Sequence, residues 1–241
     1  MADFIAFQLE GAMAAWGDIA VGEERPSRQM PTRSALTGLL GAALGIPRVE
    51  EQAMQSLQSG VAWAVVVVRE GNFLRDYHTV QTAGRDRQWQ PSSRYDELQA
   101  GDPKNLHILV TKREYYTDVE YWVLLQLLPA CPYSVDQLLS ALQEPQSVLY
   151  LGRPSCPLSA PLQPQEIAAE SLEEALRLAT ASKSVQGSHR YPIYFDPIIP
   201  SQLKVESRFP VRDVAIRRSQ SQFGEALLYQ ASWHYTSQEN T

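Results

Sequence analysis

Residues 31–46 read PTRSALTGLLGAALGI, and their pattern indicates the first helix of the fold. Its leucines recur at helical spacing, Thr32 or Ser34 can cap the N-terminus, and Gly45 suits the left-handed residue that follows a helix. The stretch therefore predicts a helix that carries a basic residue, Arg33, at its N-terminus.

Two glycines inside this helix require an explanation. Each glycine costs about 1 kcal/mol relative to alanine in a helix interior. Gly38 and Gly41 lie three residues apart and so predict close approach of another backbone to this face. That backbone belongs either to the protein's own sheet or to a nucleic acid.

The composition is typical of a folded, soluble protein, with 44% hydrophobic and 20% charged residues. The longest apolar stretches, Val61–Val68 and Tyr121–Leu128, are far shorter than the roughly 20 residues that cross a bilayer, so they predict buried strands. The N-terminus lacks the pattern of a secretion signal, and the cysteines are Cys131 and Cys156 alone. We expect a cytoplasmic protein without membrane contact or a disulfide framework.

The net charge is −6, and the charged residues are unevenly distributed along the chain. Residues 201–219 contain five basic and two acidic side chains, whereas residues 160–182 contain one basic and four acidic side chains. This sorting is compatible with RNA on one face and protein partners on another, and equally with solvated faces alone.

The order of predicted elements indicates an α+β fold. It runs strand, helix, strand, strand, helix, strand, which is the ferredoxin-like (RRM-like) pattern that RNA-recognition modules also use. Leu106–Thr111 and Val119–Leu128 are either two arms of a hairpin or one strand preceded by the return arm of an insertion. The other strands are expected at Phe4–Leu9, Val61–Arg69 and Ser147–Leu151, and the second main helix at Ser134–Leu142.

Residues 70–105 keep no regular period, and a connection of that length inside a domain usually carries function. We expect a protruding thumb hairpin over about 70–116, inserted in a ferredoxin-like RNA-binding domain at 1–160. Residues 161–241 are expected to form a small β-rich C-terminal subdomain. An acidic helix over about 164–181 would open it, and strand-like segments at 203–212 and 223–235 would follow.

The predicted thumb contains two clusters of cations and aromatic residues, Leu74–Val80 and Thr111–Tyr116. Arginine binds phosphates through its planar fork and aromatic rings stack on unpaired bases, so this mixture suits single-stranded RNA. A third cluster, Tyr150–Leu158, has a glycine that lets backbone amides approach a phosphate closely. A surface loop, a charged edge strand and a tight connection explain the three clusters equally well.

Catalytic motifs are scarce in this sequence. The histidines and cysteines lack metal-ligand spacing, and no phosphate-binding loop, dinucleotide fingerprint or nucleophile elbow occurs. We therefore expect no metal and no cofactor. His78, Lys112 and Tyr115 could form a metal-free acid/base set for RNA cleavage, although their spacing does not single them out.

The motifs occur together, in order, in one known family. The chain resembles the CasD family of the RAMP superfamily. Members of this family are subunits of type I-E CRISPR Cascade complexes. The resemblance covers roughly residues 4–160 and rests on Ala15-Trp16-Gly17, Arg25-Pro26, residues 31–46, Leu74–Val80, Arg113-Glu114-Tyr115 and Tyr150–Leu158.

The resemblance implies a non-catalytic subunit of an RNA-guided surveillance complex in antiviral defence. Such subunits bind the 5′ handle of the CRISPR RNA, cap the filament of backbone subunits and contact the large subunit, so they meet target DNA only indirectly. Together with the clusters, it makes these residues candidates for RNA binding: Trp16, Arg25, Arg28, Arg33, Ser34, Arg75, Tyr77, His78, Thr79, Lys112, Arg113, Tyr115, Arg153 and Ser155.

Two alternatives stay open. Related subunits of type I-C systems cleave the precursor CRISPR RNA, and His78, Lys112 and Tyr115 would then be the catalytic set. The other is a protein-only scaffold whose arginines contact carboxylates of neighbouring subunits. High RNA affinity with a steep salt dependence would argue against the scaffold.

Overall fold

The structure is a computed structural model that describes residues 2–47, 49–82, 92–99, 107–181, 188–217 and 222–236. Residues 83–91 and 100–106 of the predicted thumb lie outside the described residues. The elements in chain order are β1 (Ala2–Ala14), β2 (Glu24–Arg25), α1 (Arg33–Ala43), α2 (Glu51–Ser59), β3 (Val61–Arg69), β4 (Asn72–Thr82), α3 (Arg94–Gln99), β5 (His107–Leu127), α4 (Val135–Gln143), β6 (Gln165–Ala169), α5 (Leu172–Thr180), β7 (Ser188–Phe195), β8 (Ser207–Arg217) and β9 (Gln222–Thr236).

The ends of α1 and α4 follow from their capping residues. At α1 the Thr32 hydroxyl accepts a hydrogen bond from the Ala35 amide at 3.2 Å, and Gly45 adopts the left-handed conformation past the helix end. At α4 Ser134 and Gln137 form a reciprocal capping box. The predicted helix at 31–46 and the predicted helix at Ser134–Leu142 are confirmed.

The described strands form one nine-stranded sheet in the order β6-β1-β5-β3-β7-β9-β8, with β2 and β4 also paired to β5. The pairings are antiparallel except that of β2 with β5. The predicted α+β class is therefore confirmed as a mixed fold built on a large, mainly antiparallel sheet.

β5 belongs to two parts of the molecule. Its second half pairs with β1 and β3 in the main sheet, whereas residues 107–117 pair with β4 from end to end. We call the pair of β4 with residues 107–117 the ribbon. Gly71, with φ of +76°, and Asp118, with φ of +59°, interrupt the two strands where the ribbon meets the main sheet.

Both faces of the main sheet are covered. Helices α1 and α4 supply side chains to the core on one face, and α5 supplies side chains to the core on the other. Side chains of β5 alternate between them, with Tyr121, Val123 and Leu125 in the first core and Trp122 and Leu124 in the second. No helix of the described residues is both long enough and apolar enough to cross a bilayer.

The predicted strand at Ser147–Leu151 is wrong. This segment forms only an isolated bridge between Tyr150 and Pro157, because the chain turns back on itself and the Leu151 amide donates to the Cys156 carbonyl at 2.7 Å. The edge position beside β1 is taken by β6 instead. The predicted helix over 164–181 is accordingly a strand followed by the shorter helix α5.

The explanation predicted for the helix glycines is wrong at Gly41. A Cβ atom there would lie 2.6 Å from Sδ of Met54, so the close neighbour is a side chain of α2 and not a backbone. A backbone does come close at Gly152, where a Cβ atom would clash with the Ala15 carbonyl oxygen.

The sheet crosses the predicted domain boundary near residue 160. On the far side of that boundary, β6 pairs with β1 and β7 pairs with β3. The division into an RNA-binding domain with a thumb and a C-terminal subdomain stays a prediction.

Candidate nucleic-acid interface

The ribbon holds most of the candidate residues in a fixed register. Residues paired across antiparallel strands direct their side chains to the same face, and consecutive residues alternate between faces. Arg75 pairs with Glu114 and Tyr77 pairs with Lys112 on one face, which we call the Tyr77 face. Thr79 lies further along this face.

The opposite face, which we call the Arg113 face, carries the remaining ribbon candidates. On this face Asp76 pairs with Arg113, His78 pairs with Thr111 and Leu74 pairs with Tyr115. His78 and Arg113 are exposed, whereas Tyr115 is buried in the core that α1 and α4 cover.

The cations of the Tyr77 face are paired with carboxylates. Arg75 Nη2 lies 2.7 Å from Glu114 Oε1, and Lys112 Nζ lies 3.0 Å from Glu24 Oε1. Between them the Tyr77 side chain is 63% exposed. The sequence-based prediction missed these two glutamates, because it fixed neither the register of the thumb hairpin nor the pairing of β2 with β5.

Arg153 joins the Arg113 face from the loop that precedes β6. Its guanidinium lies 4.9 Å from the centre of the Tyr115 ring. It also donates to the Glu114 carbonyl at 3.2 Å and to the Arg25 carbonyl at 2.9 Å. Arg153 therefore ties its loop to β5 and β2.

The loop around Arg153 is shaped by its neighbours. Gly152 adopts φ of +87° against the Ala15 backbone, and the Ala15 amide donates to the Leu151 carbonyl at 2.9 Å. Ser155 is exposed, whereas Cys156 is buried, and that burial raises the pKa of the Cys156 thiol. The loop thus presents Arg153 and Ser155 on a fixed backbone.

Arg25 lies beside Arg113, because β2 pairs with β5 in register. Its guanidinium donates to the carbonyls of Gly22 at 2.7 Å and Glu24 at 2.9 Å. Arg28, three residues later, forms an ion pair with Asp18 at 3.1 Å.

Trp16 lies in the core, with 4% of its surface exposed. Its indole Nε1 donates to the Tyr121 hydroxyl at 3.1 Å, and that hydroxyl donates to the Gln29 carbonyl at 2.7 Å. Burial raises the pKa of Tyr121, so the phenol stays protonated. Trp16 therefore holds the connection after β1 in place, and its ring is not open to a base in this conformation.

Arg33 is partly buried at the junction of α1, β3 and β7. Its guanidinium donates to the carbonyls of Gln58 at 3.0 Å and Val61 at 3.1 Å, and it lies 3.7 Å from the Asp196 carboxylate. Asp196 in turn accepts from the Trp63 amide at 2.9 Å. Ser34 is near the helix cap, with its Oγ 3.3 Å from Thr32 Oγ1.

The catalytic set considered from the sequence is not assembled. Lys112 and His78 lie on opposite faces of the ribbon, and Tyr115 is buried beneath Arg153. Among the residues that the structure describes, no group of three or more His, Cys, Asp and Glu side chains is placed to hold a metal ion.

Comparison with known proteins gives the family of the chain. The family model described as CRISPR-associated protein (Cas_Cas5) matches residues 4–234, and the chain belongs to this family. The resemblance seen in the sequence motifs is thereby confirmed.

The relatives agree with this assignment. The CRISPR system Cascade subunit CasD of Escherichia coli (strain K12) is 36% identical over 170 residues, which are 67% of this chain and 70% of that protein. A solved structure titled CRISPR RNA-guided surveillance complex has a similar fold, with a TM-score of 0.65 at 20% identity over 97% of this chain and 90% of that chain. A second, titled Crystal structure of Cas protein, has a TM-score of 0.60 at 21% identity over 97% and 95%.

Proposed function

We propose that this chain is a non-catalytic subunit of a Cascade-type, RNA-guided surveillance complex, and that it binds the 5′ handle of the CRISPR RNA. The observation that carries the proposal is the ribbon, from which the exposed Arg113 and His78 project beside Arg25 of β2. Guanidinium groups bind phosphates and aromatic rings stack on splayed bases, which is the chemistry of single-stranded RNA recognition. Family membership and the similarity to a Cascade subunit support the same function.

The proposal includes the position of the chain in its complex. It would cap one end of the filament of backbone subunits, contact the large subunit, and meet target DNA only through the complex, in the cytoplasm. We also propose that β1, α1, β3, β5, α4 and β6 form a ferredoxin-like unit. The antiparallel order β6-β1-β5-β3 supports that description.

Cleavage of precursor RNA by this chain is the less favoured function. A general base and the cation that stabilises the phosphorane must reach the same phosphate. The separation of His78 and Lys112 by the ribbon argues against such a site.

The test uses a labelled precursor repeat RNA in EDTA, with the purified chain alone and with its co-expressed neighbouring subunits. We expect the 5′ handle to be retained without cleavage, and retention to increase when the neighbours are present. Specific cleavage that His78→Ala abolishes would instead identify a processing nuclease. A complex that assembles but shows no salt-dependent RNA retention would support the protein-only scaffold.

A further inference from the structure

We infer that RNA contacts the ribbon on its Arg113 face and that the Tyr77 face is free of RNA. The inference rests on the proposed function and identifies the surface on which the RNA lies. It divides the ribbon candidates, which the sequence alone left as a single set, by the direction in which the strand register places their side chains.

The Arg113 face has a surplus of positive charge. Arg113 is exposed, and its register neighbour on β2 is Arg25. Arg153 lies over Tyr115, two residues further along the same face of β5. The carboxylate that the register places among these three guanidinium groups is Asp76.

Two of these guanidinium groups are held in position without loss of charge. Arg25 and Arg153 donate to backbone carbonyls, at distances between 2.7 and 3.2 Å. A carbonyl fixes the side chain but leaves its full positive charge for a phosphate. The exposed His78 lies beyond Arg113 on the same face and adds a ring that can stack on a base.

The Tyr77 face is neutral by comparison. Each of its cations, Arg75 and Lys112, already contacts a carboxylate at 2.7 or 3.0 Å. A phosphate would have to displace those carboxylates and would be repelled by them. The apolar neighbours of Tyr77 on this face, Phe73 and Ile108, are about half exposed and offer no ligand for a phosphate.

The Tyr77 side carries an excess of negative charge where the ribbon joins the main sheet. Arg69 lies 3.4 Å from both Glu10 and Asp118 and 3.7 Å from Glu120, so three carboxylates surround one guanidinium group. The alternation of β5 continues past Asp118, since Tyr115 and Val119 on either side of it lie in the same core, so Glu120 is on the same side as Lys112 and Glu114. A polyanion that followed this face toward the main sheet would meet these carboxylates.

The experiment compares Arg113→Ala with Lys112→Ala, since the two residues are adjacent on β5, each loses one charge, and they lie on opposite faces. The complex with its neighbouring subunits is titrated with a labelled single-stranded repeat RNA at several salt concentrations. We expect Arg113→Ala to weaken binding about tenfold. We also expect it to lower the slope of log affinity against log salt by about 0.7. Lys112→Ala and Tyr77→Ala should stay within about twofold of wild type.

Three outcomes would overturn the inference while leaving the proposed function standing. They are equal or larger loss of binding in Lys112→Ala, the same loss in Tyr77→Ala, and tight binding of RNA by all three variants. Arg25→Gln gives a second test of the Arg113 face if thermal unfolding shows that Arg113→Ala is destabilised, and it should weaken binding in the same direction. Failure of the wild-type complex to retain RNA would instead contradict the proposed function.

Discussion

Arg33 connects three parts of the chain through one side chain. It contacts the carboxylate of Asp196, which is 3% exposed, the backbone carbonyl of Gln58 near the end of α2 and that of Val61 at the start of β3. Asp196 is the buried partner of this pair, so removing Arg33 takes the cation away from a carboxylate in a medium of low dielectric constant, which typically costs about 3–5 kcal/mol.

We expect Arg33→Met to lower the free energy of unfolding of the purified chain by about 3 kcal/mol in urea titrations. Arg28→Met is the matched control, because Arg28 pairs with the exposed Asp18, and this variant should lose less than about 1 kcal/mol. Equal losses in the two variants would contradict the structural role of Arg33. A role of Arg33 in RNA binding stays a prediction, and it requires a variant shown to be folded.

At the scale of elements, the loop between α4 and β6 depends on one glycine. Gly152 and Gly22 both adopt positive φ, at +87° and +57°, so alanine is strained at either position. They differ in their surroundings, because a Cβ atom would clash with the Ala15 carbonyl at Gly152 but has open space at Gly22.

We expect Gly152→Ala to be less stable than Gly22→Ala by about 1–3 kcal/mol, since only the first substitution also forces two backbone segments apart. Thermal unfolding of the two variants measures the difference. The same displacement should move Arg153 away from Tyr115 and weaken RNA binding in the complex. Indistinguishable unfolding curves would show that the loop accommodates the added methyl group.

The Glu173 side chain of α5 forms hydrogen bonds with the segment before β8. Burial raises the pKa of Glu173, but hydrogen bonds outweigh burial, and the net pKa is lowered. Its carboxylate accepts from the Ser201 hydroxyl at 2.8 Å and from the Gln202 amide at 2.6 Å. A lowered pKa means that the folded state stabilises the ionised carboxylate more than the unfolded state does.

We expect Glu173→Gln to be less stable than wild type by about 1 kcal/mol at pH 7. Because the folded pKa is depressed, this contribution is complete above the ordinary glutamate pKa, near 4.3. It is lost as the pH falls through the folded value. Urea unfolding should therefore show a smaller difference in the free energy of unfolding between wild type and Glu173→Gln below pH 4 than at pH 7. Glu166→Gln, on the exposed side of β6, is the control, and a difference that persists in acid would contradict the assignment.

At the scale of the whole molecule, the sheet joins the segments on either side of the predicted boundary at 160. β3 is the central link, since it pairs with β5 on one side and with β7 on the other. Ile193, fully buried on β7, lies in the core that also receives side chains of β3 and β5.

We expect Ile193→Ala to lower the free energy of unfolding by about 2–5 kcal/mol. Hydrogen exchange should accelerate together in β3, β7 and β9, because β7 is hydrogen-bonded to β3 on one side and to β9 on the other. Faster exchange confined to β7 and β9 would instead show that the C-terminal segment unfolds as the separate subdomain predicted from the sequence.

The features that could be predicted were local ones. The helix at 31–46 follows from the spacing of its leucines and the cap at Thr32, and the strand at Val61–Arg69 follows from its run of valines. The expected strand at Ser147–Leu151 failed for a non-local reason, because β6 pairs with β1 at the position that this segment was expected to fill.

The amino-acid sequence alone predicts the main helices and buried strands, the mixed α/β class and, through motifs in a fixed order, the Cas5 family. Each depends on residues close together in the chain or on the motifs themselves. Three features became visible only in the folded chain: Arg33 contacts the buried Asp196, Trp16 lies in the core, and the ribbon candidates lie on two faces of different charge. Those features depend on strand register and on contacts between residues far apart in sequence, which local spacing does not encode.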